Sequence, residues 1–269
     1  MDYLKQKFGL EGKTAVITGG GGTLCGQMAL AYAKAGASVV LWDKNEDHIE
    51  KRLKWISDET NAKAKASAVK VNLMEEESIK NALEKTVSEN GKIDVLINGA
   101  GGNRGKGPLT EINAEDFEFV LKLNLLAGCV LPTKHMASYW INENIKGTII
   151  HIASMAGFNP LSGVWAYSSA KAAVMNQTMA HAKELAPHGI RVNAIAPGFF
   201  IADQNRKLLL NDDGSPTQRG KDVLERTPMD RFGEPEDLSA AALFLGSEGS
   251  SFVSGIVLPV DGAYLCNNI

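Results

Sequence analysis

The 269-residue chain is predicted to fold as an α/β protein, a doubly wound parallel sheet of about seven strands with helices on both faces. Three observations carry that expectation. Short β-branched apolar runs alternate with longer helical patterns along the whole sequence, the rhythm of repeated β-α-β units with right-handed crossovers. The runs are apolar almost without a break, as strands covered on both faces must be. The elements also use up the chain. No repeat, low-complexity stretch or composition shift marks a second domain, so residues 1–269 read as one.

The first strand is 13–18 (KTAVIT), followed by a helix over 24–35. Strand 38–43 (SVVLWD) leads to helix 47–60, and strand 67–71 to helix 75–90. The latter opens on Glu75-Glu76-Glu77, carboxylates that suit the positive end of a helix dipole. Strand 93–98 (IDVLIN) precedes a long helical pattern over 114–142. Strand 148–153 (TIIHIA) precedes helix 167–186, and strand 190–196 (IRVNAIA) precedes the longest stretch outside the rhythm, 198–234. Within it Asp212-Asp213-Gly214-Ser215-Pro216 reads as a turn. A long irregular insertion just beyond a strand's carboxyl end is expected to be a substrate lid. Helix 235–246 begins at Pro235, where a missing N–H leaves nothing unsatisfied, and strand 255–260 completes the sheet.

Composition narrows the function classes. Hydrophobic residues at 44% and charged residues at 22% are those of a globular chain rather than a disordered one. The net charge of −3 lacks the basic excess of a nucleic-acid binder. Three cysteines (Cys25, Cys129, Cys266) without a CxxC give neither a disulfide framework nor a cysteine zinc site. The opening MDYLKQKFGLEGK has no apolar signal core, and no run approaches the roughly 18 apolar residues of a membrane span. A cytoplasmic protein that binds no membrane is expected. The five histidines show no HxxxH or HExxH spacing, so no metal is expected, and His151, inside a strand, reads as a packed core residue.

The first crossover carries a binding signal. Thr18-Gly19-Gly20-Gly21-Gly22-Thr23-Leu24-Cys25-Gly26 follows the first strand and opens the first helix. Glycines let the backbone approach a ligand closely, while free helix N–H groups favour a pyrophosphate. Asp43 ends the second strand, where a carboxylate can accept both hydrogen bonds from an adenosine ribose and would repel a 2′-phosphate. Together they predict a dinucleotide site that prefers NAD(H). Lys44 softens the discrimination, leaving NADP(H) as the alternative cofactor.

A second constellation carries chemistry. Tyr167 and Lys171 lie four apart on one helix face, and Ser154 follows the fifth strand at the sheet's ligand-binding edge. A phenol ordinarily loses its proton near pH ~10, and a neighbouring ammonium favours the phenolate. Tyr167 could then take a hydroxyl proton or give one to a carbonyl oxygen while hydride moves, with Ser154 hydrogen-bonded to the reacting oxygen.

At this point the chain resembles the short-chain dehydrogenase/reductase family over almost its whole length. The matching pieces are the glycine-rich turn, Asn98-Gly99-Ala100-Gly101, Asn124, Ser154, Tyr167-x-x-x-Lys171 and Pro197-Gly198. Arg231-Phe232-Gly233-Glu234-Pro235-Glu236-Asp237 and Val260-Asp261-Gly262 match as well. The resemblance implies a Rossmann-type fold and Tyr167 as acid/base. It implies that Lys171 contacts the nicotinamide ribose, Ser154 orients substrate and Asn124 holds a water linking Lys171 to solvent. Cofactor contacts are expected from Gly19, Gly22, Thr23, Leu24, Asp43, Asn72, Leu73, Asn98, Gly99, Ala100, Tyr167, Lys171, Pro197, Gly198 and Phe200. A homotetramer is expected too.

Three departures stand out. Thr23 and Cys25 occupy positions where the family usually has glycine, Gly99 replaces the second asparagine of Asn-Asn-Ala-Gly, and Ala202 replaces a common threonine. Finer resemblance is to the family's sugar-acid branch, the D-mannonate oxidoreductases or fructuronate reductases. It rests on Asn98 to Asn103, Ala196-Pro197-Gly198-Phe199-Phe200 and Gln204-Asn205-Arg206. Asn103, Arg104, Ser154, Met155, Asn205 and Arg206 are the expected substrate contacts, an arginine holding the carboxylate. Met155 and the arginines also read as packing and solvated charge. Gluconate 5-dehydrogenase-like and 3-oxoacyl carrier-protein reductase activities share this framework. A non-catalytic nucleotide-sensing regulator is the reading from another class, and a complete Ser/Tyr/Lys/Asn set argues against it.

Overall fold

In the computed structural model, which describes residues 3–203 and 205–267, the predicted strands form one sheet. Gln204, quoted above, and the ends of the 1–269 domain range lie outside the described residues. A short helix, α1 (Tyr3–Phe8), precedes β1 (Thr14–Thr18), α2 (Thr23–Lys34), β2 (Ser38–Asp43), α3 (Glu46–Glu59), β3 (Ala66–Lys70) and α4 (Glu76–Asn90). Then come β4 (Val95–Asn98), α5 (Ala114–Leu121), α6 (Leu131–Asn142), β5 (Thr148–Ile152) and α7 (Trp165–Leu185). The chain continues through β6 (Arg191–Pro197), α8 (Arg206–Leu209), α9 (Gln218–Glu225), α10 (Ser239–Gly246) and β7 (Val257–Val260). Sheet order is β3-β2-β1-β4-β5-β6-β7, and every pairing is parallel.

That order dictates where a ligand can sit. From β1 the chain builds outward to β3, then returns to build from β4 in the other direction. The helices that follow β1 and β4 diverge and leave a crevice at the carboxyl ends of the strands. The registers Thr18↔Asn98 and Asn98↔His151 bring the central strand ends level.

Alternation along each strand supplies two cores. Ile17, Leu41, Ile97, Ile150 and Ile195 pack on one face with α2 and α10. Val16, Val40, Leu96, Ile149 and Val192 pack on the other, around Trp42 and Trp140. Both buried indoles are satisfied: Trp42 Nε1 donates to Thr86 Oγ1 at 3.0 Å and Trp140 Nε1 to the Ile93 carbonyl at 2.8 Å. The central strands are buried throughout, whereas the edge strands β3 and β7 are half-buried.

Two expectations need correction. The pattern over 114–142 is not one regular helix, because a π-helical segment, Lys122–Val130, separates α5 from α6. Asn124 Nδ2 donates to the Val120 carbonyl at 2.9 Å, four residues back, and Pro132, which has no N–H, stands in the first turn of α6. The 198–234 stretch is not wholly irregular either, since it holds the short helices α8 and α9. A bridge between Phe200 and Gly233 closes its base, and Leu210 pairs with Pro216 across the 212–216 turn. Leu209 and Val223 bury the inner faces of α8 and α9.

Candidate active site

The glycine-rich turn is shaped by packing against its neighbour. Gly19 has φ +65°, and a Cβ there would lie 2.9 Å from Ala100 Cα, so the turns after β1 and β4 touch backbone to backbone. Thr18 Oγ1 accepts the N–H groups of Gly99 (3.1 Å) and Ala100 (3.2 Å), tying the two turns together. Gly22 precedes α2 without a side-chain cap, and the first turn of α2 holds no acidic residue. The helix thus offers uncapped N–H groups and an uncompensated positive dipole to an anion, which fits a dinucleotide's pyrophosphate.

Asp43 sits at the carboxyl end of β2 with its carboxylate held in place. Oδ2 accepts from Gly21 N–H at 3.1 Å and Oδ1 from Asn45 N–H at 3.0 Å. Each oxygen keeps acceptor capacity for a ribose hydroxyl. Asn45, not Asp43, caps α3, through His48 N–H, so the aspartate has no helix to cap.

The departures at positions 25 and 99 turn out to be one feature. A Cβ at Gly99 would lie 2.2 Å from Cys25 Sγ, so the thiol fills the space a larger residue at 99 would need. Cys25 is buried, and burial pushes its thiol up to about 12, so it packs as a neutral group. Gly99→Asn alone should therefore overpack the turn and cost about 1–3 kcal/mol. Adding Cys25→Gly should recover most of that loss. Urea unfolding of both singles and the double checks the coupling, and additive losses would contradict it.

The predicted reacting groups come from three elements. Ser154, just beyond β5, accepts Ala156 N–H through Oγ at 3.2 Å and starts a tight turn, Met155–Gly157. A Cβ on Gly157 would press on Ala172 N and Lys171 C (both 2.9 Å), so this turn lies directly on α7. Lys171 is buried, donates to the Ile152 carbonyl at 2.6 Å, and stands 5.6 Å from the centre of the Tyr167 ring. Asn124, buried in the π-helical segment, donates to the Gly102 carbonyl (2.7 Å) and accepts from Gly102 N–H (3.1 Å). It thereby clamps the segment after β4. The wider π-helical turn at Asn124 is invisible to a 3.6-residue pattern, though π-bulges often mark functional positions.

Other predicted contacts are placed differently. Leu73, Met155 and Phe200 are buried core side chains, which leaves only their backbone for a ligand. Asn98 turns inward. Its Nδ2 bonds Thr133 Oγ1 (3.0 Å) and His151 Nδ1 (3.2 Å), and burial pushes His151 down to about 3, a neutral core residue. Asn72 folds onto its own turn, giving Nδ2 to Glu75 Oε1 and accepting Met74 N–H. Leu24 is half-buried against the core, Pro197 ends β6, and Gly198 N–H bonds the Val260 carbonyl. Thr23 Oγ1 donates to Asp203 at 3.2 Å, a link from the turn to the 198–234 segment that the sequence did not signal.

The predicted substrate contacts separate in the same way. Arg104 pairs with Asp116 at 2.7 Å and lies 5.0 Å over the Phe119 ring. Asn103 donates to the Gly105 carbonyl, and both ends of the Asn205 amide close their own loop, through Phe200 O and Ala202 N–H. Arg206, exposed at the start of α8, has no ion pair among the described residues. Trp165 Nε1 donates to the Gly107 carbonyl at 3.1 Å and joins the loops after β4 and β5.

Known proteins match this chain along nearly its full length. Residues 13–212 match the family model for short chain dehydrogenases. An uncharacterized oxidoreductase of Haemophilus influenzae is 41% identical over 95% of this chain and 94% of its own. A 3-oxoacyl-[acyl-carrier-protein] reductase of Thermotoga maritima is 34% identical, over 94% of this chain and 98% of its own. A 2-dehydro-3-deoxy-D-gluconate 5-dehydrogenase of Escherichia coli is also 34% identical, over 96% and 97%. Among solved structures, a provisionally assigned D-mannonate oxidoreductase of Haemophilus influenza with bound NAD superposes with a TM-score of 0.89. It is 39% identical and covers 98% of this chain and 99% of its own.

Proposed function

The chain belongs to the short-chain dehydrogenase family, an oxidoreductase acting on CH–OH groups, and on that premise we propose that it interconverts a hydroxyl and a carbonyl on a sugar acid with NAD(H) as preferred cofactor. D-Mannonate and D-fructuronate are the pair we put first. One set of contacts supports the catalytic reading: Lys171 stands 5.6 Å from the centre of the Tyr167 ring, the turn that Ser154 starts lies on α7 at Lys171, and Asn124 Oδ1 and Lys171 Nζ both border Gly101. The sugar-acid reading is supported by the provisionally assigned mannonate oxidoreductase and the gluconate 5-dehydrogenase among the relatives.

A nicotinamide dinucleotide supplies the hydride acceptor or donor. Its residues in this chain are the turn from Gly19 to Thr23 and the first amides of α2 for the pyrophosphate, Asp43 for the ribose, and Lys171 for the nicotinamide ribose. In the oxidative direction Tyr167 Oη removes the proton from the substrate hydroxyl, and in reduction it returns one to the carbonyl oxygen. Ser154 Oγ donates to that same oxygen, its own acceptor side held by Ala156 N–H. Lys171 sets a fixed ammonium against the ring as the phenol proton leaves, anchored by the Ile152 carbonyl. Asn124 keeps the segment after β4 in register and holds the water through which Lys171 reaches solvent. Buried Ser154, Lys171 and Asn124 beside a half-buried Tyr167 give no support to a non-catalytic regulator.

The substrate carboxylate needs a free cation, and Arg104 is already paired with Asp116. Arg206 is therefore our candidate for that contact. Losing one charged hydrogen bond costs about 1.5–3 kcal/mol, or about 10- to 150-fold in affinity. Arg206→Ala should raise KM for D-fructuronate by that factor and leave KM for NADH unchanged, while Arg104→Ala should change either by less than about threefold. Steady-state kinetics on both variants tests the assignment. Unchanged KM in Arg206→Ala would remove Arg206 from the site.

The family's common assembly leads us to propose a homotetramer. Leu126, Met179 and Phe158, exposed on the side of the π-helical segment and α7, are the apolar surface such an assembly would cover. Light scattering at the mass of four 28.8-kDa chains is the expected result, and a monomer mass would contradict it.

A further inference from the structure

We propose that Cys129, His151 and His181 form a Zn²⁺ site that clamps β5, α7 and the π-helical segment behind the active site. The three residues come from three elements, and their ligand atoms all lie within 4.8 Å of one another. His151 Nε2 and His181 Nδ1 are 3.3 Å apart with their rings at 64°. Zinc bonds of about 2.0–2.1 Å to nitrogen and 2.3 Å to sulfur place tetrahedral ligands roughly 3.3–3.8 Å apart. The histidine nitrogens already stand at that separation, and the sulfur needs to move by about 1 Å, within reach of a Cys χ1 adjustment.

The donor set fits zinc in kind as well as in spacing. One thiolate and two imidazoles are borderline-soft ligands, with no carboxylate in the group to favour a hard cation. Cys129 and His151 are buried, whereas His181 is half-buried, so the fourth position is open on the His181 side to a water. Binding requires His151 to present Nε2 as a lone pair and carry its proton on Nδ1. The Asn98 amide lies 3.2 Å from Nδ1, and turned over it would accept that proton through Oδ1, which has no partner as oriented. Thr133 Oγ1, 3.0 Å away, can donate to Oδ1 as readily as it accepts from Nδ2. The flip leaves one amide end without a partner in either orientation and gives up only a 3.4 Å contact to the Cys129 carbonyl.

The site would act on position rather than on chemistry. Cys129 shares the π-helical segment with Asn124, His151 stands three residues before Ser154 on the β5 run, and His181 lies on α7 with Tyr167 and Lys171. A metal across them holds the catalytic scaffold together without touching substrate.

Co²⁺ titration of the full-length protein, stripped of metal with a chelator, is the test. One Co²⁺ per chain is expected, with tetrahedral d–d absorption and a sulfur-to-cobalt charge-transfer band, both displaced by stoichiometric Zn²⁺. Cys129→Ser should lose the charge-transfer band and His181→Gln should lower Co²⁺ affinity at least tenfold, circular dichroism confirming that both remain folded. Thermal unfolding of the wild-type protein should shift upward on adding Zn²⁺ and should not shift in Cys129→Ser. Absence of the charge-transfer band in wild type, or the same band and affinity in both variants, would overturn the site. The unshifted wild-type melting curve would do so even if a variant failed to fold.

Discussion

Tyr167→Phe is expected to lower kcat by about 10²- to 10⁴-fold while leaving NADH affinity near the wild-type value. The substitution removes only the hydroxyl. The ring stays in α7 and Lys171 keeps its bond to the Ile152 carbonyl, so the scaffold and the cofactor edge persist. What disappears is the group that exchanges a proton with the reacting oxygen, and Ser154, already accepting Ala156 N–H, is placed to donate rather than to act as a base. Stopped-flow NADH binding together with steady-state kcat separates the two effects. A near-normal kcat would refute the acid/base assignment.

Asp43→Ala should shift cofactor preference toward NADP(H) by about 10- to 150-fold in the ratio of kcat/KM values, the equivalent of one charged hydrogen bond of about 1.5–3 kcal/mol. Two effects act together. NAD(H) loses a carboxylate acceptor held by Gly21 and Asn45 N–H groups, and a 2′-phosphate loses a like charge that repels it. Lys44, the next residue, then remains beside the site as a cation. Parallel kinetics with NADH and NADPH on wild type and variant give the ratio. A wild-type enzyme that uses NADPH with the higher kcat/KM would contradict the role of Asp43.

The sheet was legible because its strands are β-branched, apolar and short. β2 has the predicted bounds, and the other six strands differ from prediction by one or two residues at an end. The proposed catalytic set was legible as a spatial group because Tyr167 and Lys171 share a helix face and Ser154 follows a strand, both local relations. What was not legible depends on contacts across the chain. Arg104 reads as a free cation until the fold sets Asp116 beside it. Cys25 and Gly99 look like two separate departures until the turn after β4 brings glycine against thiol. No spacing motif announces Cys129, His151 and His181, because each comes from a different element. The π-helical segment was missed for a different reason: its apolar pattern is continuous with the helices on either side, and the bond from Asn124 Nδ2 to the Val120 carbonyl that accompanies it leaves no mark on that pattern.

The central claim, a sugar-acid oxidoreductase that prefers NAD(H), is tested most directly by one experiment. The purified protein is assayed at fixed NADH and at fixed NADPH against D-fructuronate, other hexuronates, 5-keto-gluconate and an acetoacetyl thioester, following absorbance of the reduced cofactor. The predicted result is reduction of D-fructuronate or a close keto sugar acid, with kcat/KM higher for NADH and no turnover of the thioester. Turnover of the acetoacetyl thioester with every sugar acid ignored would contradict it and place the protein with the carrier-protein reductases.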